Sequence, residues 1–254
     1  MRILGIESSS LVASVAVVTD DILTAEYTVN FKKTHSQTLL PMLDEIGTML
    51  ELDLETVDAI AVSGGPGSFT GLRIGSATAK GLGLALNKPL IHVPTLDAMA
   101  YNLYGTSALI CPIMDARRSQ VYTGLYHFEK EFTVVKESCG MDIHELIKEL
   151  NERGERVIFL GDGVPVYQAV IEAEMETEWD FAPANSNRQR AASVAALGCM
   201  YFAAGQTERA ADHAPDYLRK AQAERELEEA KRQGKTEELA AGHSVGVGAS
   251  EGNA

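Results

Sequence analysis

The chain has 254 residues, of which 45% are hydrophobic and 23% charged, with a formal net charge of −14. This composition is typical of a soluble globular protein with one or two domains and a sizeable core. The anionic balance argues against strong independent binding of nucleic acid, because that affinity comes mainly from cationic contacts with phosphate. The three cysteines lie far apart, and neither a signal peptide nor a membrane-length apolar run is present, so we expect a cytoplasmic protein.

The first half of the chain predicts three strands, then a helix, a strand, a helix, a strand and a helix. Apolar runs indicate strands at 3–6, 13–18, 23–29, 58–62 and 90–93. Helical spacing indicates helices at 35–50, 71–86 and 96–103. Because Pro41 lacks a backbone N–H, it must lie in the first turn of its helix or cause a kink.

A glycine-rich turn links the strand at 58–62 to the helix at 71–86. Such a turn resembles a phosphate cradle, because backbone N–H groups approach a ligand closely where there is no Cβ. It has no Gly-Lys-Ser/Thr ending, and the glycines at 65, 67 and 71 miss the dinucleotide spacing by one residue. Taken alone, the turn is therefore a weak nucleotide signal.

The helix after this turn carries two rows of small residues, and the residues of each row share one face of the helix. Each interior glycine costs about 1 kcal/mol relative to alanine, so close packing must compensate. Packing against the chain's own sheet explains one row, and a helix from a partner chain is the alternative for the other. The rows are Gly71, Gly75, Ala79 and Gly83, and Ala77, Gly81 and Ala85.

The second half repeats the βββαβα order of the first. Strands are expected at 109–114, 121–128, 132–135 and 156–160, and helices at 143–150, from 165 and at 191–204. Glu7 and Asp115 lie in equivalent turns, which predicts two similar lobes with a cleft between them. We expect a first lobe at 1–105, a second at 106–220, and a charged, then Gly/Ser-rich extension at 221–254 that is partly disordered.

Candidate chemical groups are few. Glu7 either points into the cleft to hold a metal or water, or caps its own turn. Asp115 with Arg117 and Arg118 either holds an anion in a bidentate fork or pairs internally. The six histidines show no pairing at metal-ligand spacing, and no Gly-x-Ser-x-Gly elbow is present.

Several segments together resemble the bacterial TsaB family, also called YeaZ. They are Arg2-Ile-Leu-Gly-Ile-Glu-Ser-Ser, His35-Ser-Gln-x-Leu-Leu-Pro, Ser63-Gly-Gly-Pro-Gly-Ser-Phe-Thr-Gly-Leu-Arg-Ile-Gly, Asp115-Ala-Arg-Arg and Tyr217-Leu-Arg-Lys. The resemblance covers about residues 1–222. It implies the actin/Hsp70/sugar-kinase (ASKHA, ribonuclease H-like) type of α/β fold, with duplicated lobes. It also implies a role in making N6-threonylcarbamoyladenosine at position 37 of tRNAs that read codons starting with A.

The resemblance further implies a partner subunit and not the catalyst. Family members pair with the related catalytic subunit TsaD, or with themselves, through the helices that here span 35–50 and 71–86, and the ATPase TsaE joins that pair. TsaD has a metal-binding His-x-x-x-His where this chain has Thr95 and Met99. The late glycine-rich nucleotide loop of TsaD has no counterpart here between residues 185 and 205.

We therefore predict a non-catalytic activating or scaffold subunit that pairs with TsaD and contacts tRNA only through the complex. No catalytic residue, metal or cofactor is assigned. The expected partner interface comprises Leu39, Leu43, Ile46, Leu50, Gly71, Arg73, Gly75, Ala79 and Gly83. A possible vestigial ligand loop comprises Glu7, Gly64, Gly65, Gly67, Ser68, Thr70, Asp115, Arg117 and Arg118. The alternative is an ATP-dependent phosphotransferase of the same fold, and a weaker third is a metallopeptidase.

Overall fold

A computed structural model describes residues 1–32, 34–128 and 131–218. The strands are β1 Arg2–Glu7, β2 Val12–Thr19, β3 Ile22–Asn30, β4 Ala59–Gly65, β5 Leu90–Pro94, β6 Leu109–Asp115, β7 Gln120–Phe128, β8 Phe132–Asp142, β9 Val157–Leu160 and β10 Trp179–Phe181. The helices are α1 Leu39–Leu50, α2 Phe69–Ala85, α3 Thr95–Tyr101, α4 Ile143–Arg153, α5 Val164–Glu174 and α6 Ala191–Ala203. The extension expected at 221–254 lies outside the described residues.

The strands form two five-stranded sheets with the same topology. Their orders are β3-β2-β1-β4-β5 and β8-β7-β6-β9-β10. In each sheet the central strand is the first in sequence, β1 or β6. The second and third strands follow on one side in antiparallel pairs, and the fourth and fifth strands follow on the other side in parallel pairs. The predicted duplicated α/β architecture is confirmed, and each half continues beyond βββαβα with one more strand and helix.

Several boundaries differ from the sequence prediction, and one strand was not predicted. Residues 35–37 form a short 3-10 helix, so α1 begins at Leu39, and Pro41 lies in its first turn as expected. Strand β4 continues into the glycine-rich turn as far as Gly65. Strand β8 extends to Asp142 through polar residues, because pairing with β7 holds a segment that has no apolar pattern of its own. The three-residue β10 was missed.

Helices from both halves cover the first sheet. One face packs against α1 and α2 in a core that includes Leu4, Val62 and Ile46. The other face packs against α6, which comes from the second half of the chain, through residues such as Leu197. On the second sheet, α3 from the first half packs through Met99 and its neighbours. The two halves therefore exchange their last helices.

The first small-residue row of α2 is covered by the chain itself. A Cβ on Gly71 would lie 2.1 Å from the carbonyl oxygen of Ser8, and one on Gly75 would lie 2.2 Å from the Ser8 hydroxyl. Ala79 is fully buried, and a Cβ on Gly83 would lie 2.8 Å from Cβ of Ala210. The prediction that this row contacts a partner is wrong, because its small residues admit the turn after β1 and the segment after α6.

The core-facing residues of α1 were also wrongly assigned to a partner interface. Leu39, Leu43 and Ile46 are buried in the core of the first sheet, and the partly buried Leu50 packs against them. Helical periodicity identifies an apolar face, but it does not tell whether a sheet or a second chain covers that face.

The second small-residue row has the opposite environment. Ala77, Gly81 and Ala85 are exposed, and a Cβ built on Gly81 meets nothing within 4 Å.

Within the described residues, no helix is long and apolar enough to form a membrane span.

The contrast between the two rows predicts opposite effects of adding one methyl group. Gly71→Ala forces a Cβ against the backbone of Ser8 and should lower the free energy of unfolding by about 1–3 kcal/mol. Gly81→Ala has open space and better helix propensity, so it should raise that free energy by about 1 kcal/mol. Urea unfolding followed by circular dichroism measures both. Equal effects of the two substitutions would contradict this assignment of the faces.

Candidate functional site

Glu7 ends β1, and its side chain is only 1% exposed. Its Oε1 accepts hydrogen bonds from the backbone N and the hydroxyl of Ser9, both at 2.6 Å. Its Oε2 is buried and has no hydrogen-bond partner among the described residues. Burial raises the pKa of Glu7 to about 7, and the Ser9 hydrogen bonds oppose this shift. One carboxylate oxygen thus caps the turn, which is the second of the two alternatives considered for Glu7.

Asp162, in the second half of the chain, lies close enough to Glu7 for their charges to interact. It lies in the Gly-Asp-Gly turn that follows β9, the equivalent of the glycine-rich turn that follows β4. Burial raises the pKa of Asp162, and its negative charge contributes to the raised pKa of Glu7. Nε2 of Gln189 donates to Oδ1 of Asp162 at 3.4 Å. From the sequence no role was assigned to Asp162, for which the Gly-Asp-Gly pattern after a buried strand was the available signal.

The glycines at and just after the end of β4 pack closely against other parts of the chain. A Cβ on Gly64 would lie 2.0 Å from the His92 ring, and one on Gly65 would lie 2.3 Å from the carbonyl oxygen of Asp216. A Cβ on Gly67 would lie 2.3 Å from the carbonyl oxygen of Ser9. The chain itself occupies the space that the missing side chains leave, which accounts for these glycines without a ligand.

Ser68 and Thr70 of the predicted ligand loop are exposed. Ser68 is the N-cap of α2, and its hydroxyl accepts from the backbone N of Gly71 at 3.3 Å. Thr70 lies in the first turn of the same helix, with its side chain in solvent. The role that the structure gives Ser68 is helix capping.

Asp115 ends β6, as Glu7 ends β1. Its Oδ1 accepts from the backbone N of Arg117 at 2.9 Å and from the hydroxyl of Tyr167 at 3.0 Å. Its Oδ2 lies 3.6 Å from Nε of Arg117. Arg117 and Arg118 are exposed and have positive φ angles of 66° and 55°. The internal pairing of Asp115 is the alternative that the geometry favours.

A histidine cluster lies on the far side of the glycine-rich turn. Ligand-type atoms of His92, Glu208 and His213 come within 4.8 Å of one another. This cluster was missed in the sequence, because more than a hundred residues separate His92 from Glu208 and His213. Thr95 and Met99 are buried in the chain's own core.

The exposed sides of α1 and α2 form a surface that we name the α1–α2 face. It is defined by Leu40, Asp44 and Gly47 of α1 and by Arg73, Ala77, Gly81 and Leu84 of α2. Of the predicted interface residues, only Arg73 belongs to it. The guanidinium of Arg73 lies 4.9 Å from the centre of the Phe69 ring.

Comparison with known proteins places this geometry in a family. A family model described as TsaD, tRNA N6-adenosine threonylcarbamoyltransferase, matches residues 26–227. The tRNA threonylcarbamoyladenosine biosynthesis protein TsaB of Bacillus subtilis is 34% identical over 229 residues, which is 88% of this chain and 96% of that protein. The chain belongs to the TsaB family. TsaB of Escherichia coli is 33% identical, over 86% of this chain and 95% of its own length.

Solved structures of family members share the fold. A crystal structure from Pseudomonas aeruginosa, described as an uncharacterized protein with similarity to peptidase YEAZ, has a TM-score of 0.73 and 25% identity, covering 86% of this chain and 99% of its own. The structure described as YeaZ from Pseudomonas aeruginosa has a TM-score of 0.71 and 24% identity, covering 85% and 99%. The predicted fold class is confirmed.

The buried carboxyl of Glu7 predicts a pH dependence of stability. Its pKa in the folded chain, about 7, exceeds the ordinary value of 4.5, so folding keeps a proton that the unfolded chain releases. The free energy of unfolding should therefore fall as the pH rises from 4.5 to 7, by about 3 kcal/mol. Glu7→Gln keeps the acceptor for Ser9, removes this fall, and should be more stable than wild type at pH 8.

Urea unfolding of both chains between pH 5 and 8 measures the effect. Glu172→Gln is a suitable control, because it makes the same substitution at an exposed position of α5. If Glu7→Gln follows the pH profile of wild type, the inferred protonation of Glu7 is incorrect.

Proposed function

We propose that this chain is a non-catalytic subunit of the machinery for N6-threonylcarbamoyladenosine synthesis on tRNA. In this proposal it binds a TsaD subunit through the α1–α2 face. Membership of the TsaB family supports the pathway. The observation that carries the assignment of the surface is that it contains two glycines, Gly47 and Gly81, with open space beside them.

Both helices of the face contain a glycine that the fold itself does not require. A Cβ built on Gly47 or on Gly81 would meet nothing within 4 Å. Each glycine lies inside a helix, where it costs about 1 kcal/mol relative to alanine. A second backbone that approaches the helices closely would explain both, whereas packing within the chain explains neither.

Exposed apolar side chains flank the open glycines. Leu40 is 54% exposed and Leu84 is 62% exposed. Met49, on the last turn of α1, is 76% exposed. Exposed apolar side chains around a small-residue groove are typical of a surface that another protein covers. The charged Asp44 and Arg73 would supply polar contacts at its edges.

The interlobe cleft supports a non-catalytic role. Its glycines accommodate the chain's own Ser9 and Asp216, and Glu7 caps its own turn. The two positions that carry metal-binding histidines in TsaD hold Thr95 and Met99, both in the core. Chemistry would then come from the partner, and this chain would contribute by stabilising the partner's active conformation.

Further partners follow from the same proposal. The ATPase TsaE would join the pair, and tRNA would be contacted only through the complex, in keeping with a net charge of −14. In isolation, the α1–α2 face of one chain could bind the same face of a second copy. Such a homodimer would compete with TsaD.

Substitution on the α1–α2 face should separate binding from folding. Ala77→Arg places a long charged side chain in the exposed small-residue row and should weaken TsaD binding at least tenfold, with little change in the melting temperature. Ala169→Arg makes the same change at an exposed position of α5 and should bind like wild type. Size-exclusion chromatography with light scattering measures the mass of each mixture. Co-elution of the Ala77→Arg variant with TsaD at wild-type affinity would refute the proposed surface.

A second measurement tests the non-catalytic role. The isolated chain is titrated with ATP and Mg²⁺ by calorimetry and assayed for nucleotide turnover. We expect neither tight binding nor turnover. Micromolar binding accompanied by turnover would instead support a phosphotransferase of the same fold.

A further inference from the structure

The segment after α6 returns to the first lobe and is fixed there by backbone hydrogen bonds. We call residues 206–216 the C-terminal strap. Leu90 and Glu208 exchange two backbone hydrogen bonds of 2.9 Å, and the backbone N of Asp216 donates to the carbonyl oxygen of Gly64 at 2.6 Å. Nζ of Lys80 donates to the carbonyl oxygen of His213 at 2.9 Å. The strap is thus held against β4, β5 and α2.

Four side chains capable of binding metal lie between these fixed points. Nε2 of His92 lies 3.3 Å from Oδ2 of Asp216. Nδ1 of His213 lies 2.6 Å from Oε1 of Glu208. The two imidazole rings have centroids 5.8 Å apart. Two imidazoles and the carboxylate of Glu208 therefore converge where the strap crosses the end of β5, and Asp216 lies beside His92.

The surroundings suit imidazoles that act as neutral ligands. The His213 side chain is fully buried, and its Nε2 has no hydrogen-bond partner among the described residues. A neutral imidazole carries a lone pair that can bind a metal ion.

The distances suit a single small cation. Ligand-type atoms of His92, Glu208 and His213 lie within 4.8 Å of one another. Tetrahedral Zn²⁺ with bonds of about 2.0–2.1 Å requires ligand separations of about 3.3 Å, so small side-chain rotations would close the site. The missing Cβ of Gly64 leaves room for the ring of His92 at this place.

We propose that His92, His213 and Glu208, with Asp216 as the fourth ligand, form a structural Zn²⁺ site that fastens the C-terminal strap to the first lobe. Two nitrogens and two carboxylate oxygens favour zinc or a similar transition metal over Mg²⁺ or Ca²⁺, which prefer oxygen ligands alone. All four protein ligands would be supplied by this chain, as in structural sites. This inference is independent of TsaD binding.

The test uses the full chain after treatment with a chelator and dialysis. Calorimetric titration with ZnCl₂ should show one site per chain, and Zn²⁺ should raise the melting temperature. His92→Gln should weaken binding at least about tenfold and abolish the thermal shift. Asp216→Asn should weaken binding less, because the other three ligands remain. Titration with CoCl₂ should give visible absorption bands of tetrahedral intensity in wild type and not in His92→Gln.

Two matched variants serve as controls. His144→Gln removes another histidine with a carboxylate partner, since Nδ1 of His144 lies 2.8 Å from Glu174, and it should keep wild-type zinc affinity. His243→Gln removes the histidine of the C-terminal extension and should likewise have no effect. Circular dichroism of each metal-free variant checks that it is folded. No zinc binding by the wild-type chain, or equal binding by a folded His92→Gln variant, would overturn the proposal.

Discussion

The close approach of helix α2 to the turn after β1 is the constraint on which the first lobe depends. The turn inserts its backbone beneath the helix, where Gly67 and Gly71 leave room for it. The hydroxyl of Ser8 donates to the carbonyl oxygen of Gly71 at 2.9 Å. The backbone N of Ser68 donates to the carbonyl oxygen of Ser9 at 2.6 Å. This docking sets the rotation of α2 about its axis, and thereby decides which small-residue row lies inside and which faces outward.

The order of elements could be predicted because each apolar run has its own local period. Strands β1, β2 and β4 are buried and strongly apolar, and the core side of α1 repeats at helical spacing. The second part of β8 and all of β10 could not be predicted, since pairing with neighbouring strands and not local sequence determines them. The sequence pattern placed the start of α1 at residue 35. The structure instead has a 3-10 helix at residues 35–37, and Thr38 separates it from α1.

The candidate sites were harder to predict than the fold. Internal duplication placed Glu7 and Asp115 correctly at equivalent strand ends. The orientation of α2 could not be read from its sequence, because both of its rows are small. The association of His92 with His213 depends on a strap that crosses the lobe late in the chain, and no local spacing encodes it. The composition of each candidate site therefore depends on tertiary contacts, whereas most helices and strands follow from the local sequence pattern.

The exchange of α3 and α6 between the two halves has a consequence for biosynthesis. The face of the first sheet that α6 covers includes Ile3 and Ala61, which remain without that cover until α6 leaves the ribosome. During translation, the first half would therefore expose an apolar sheet while more than half of the chain is still to be made. Ribosome-associated chaperones would have a defined surface to protect over that interval. Native packing of the first sheet becomes possible only after nearly all of the folded region has emerged.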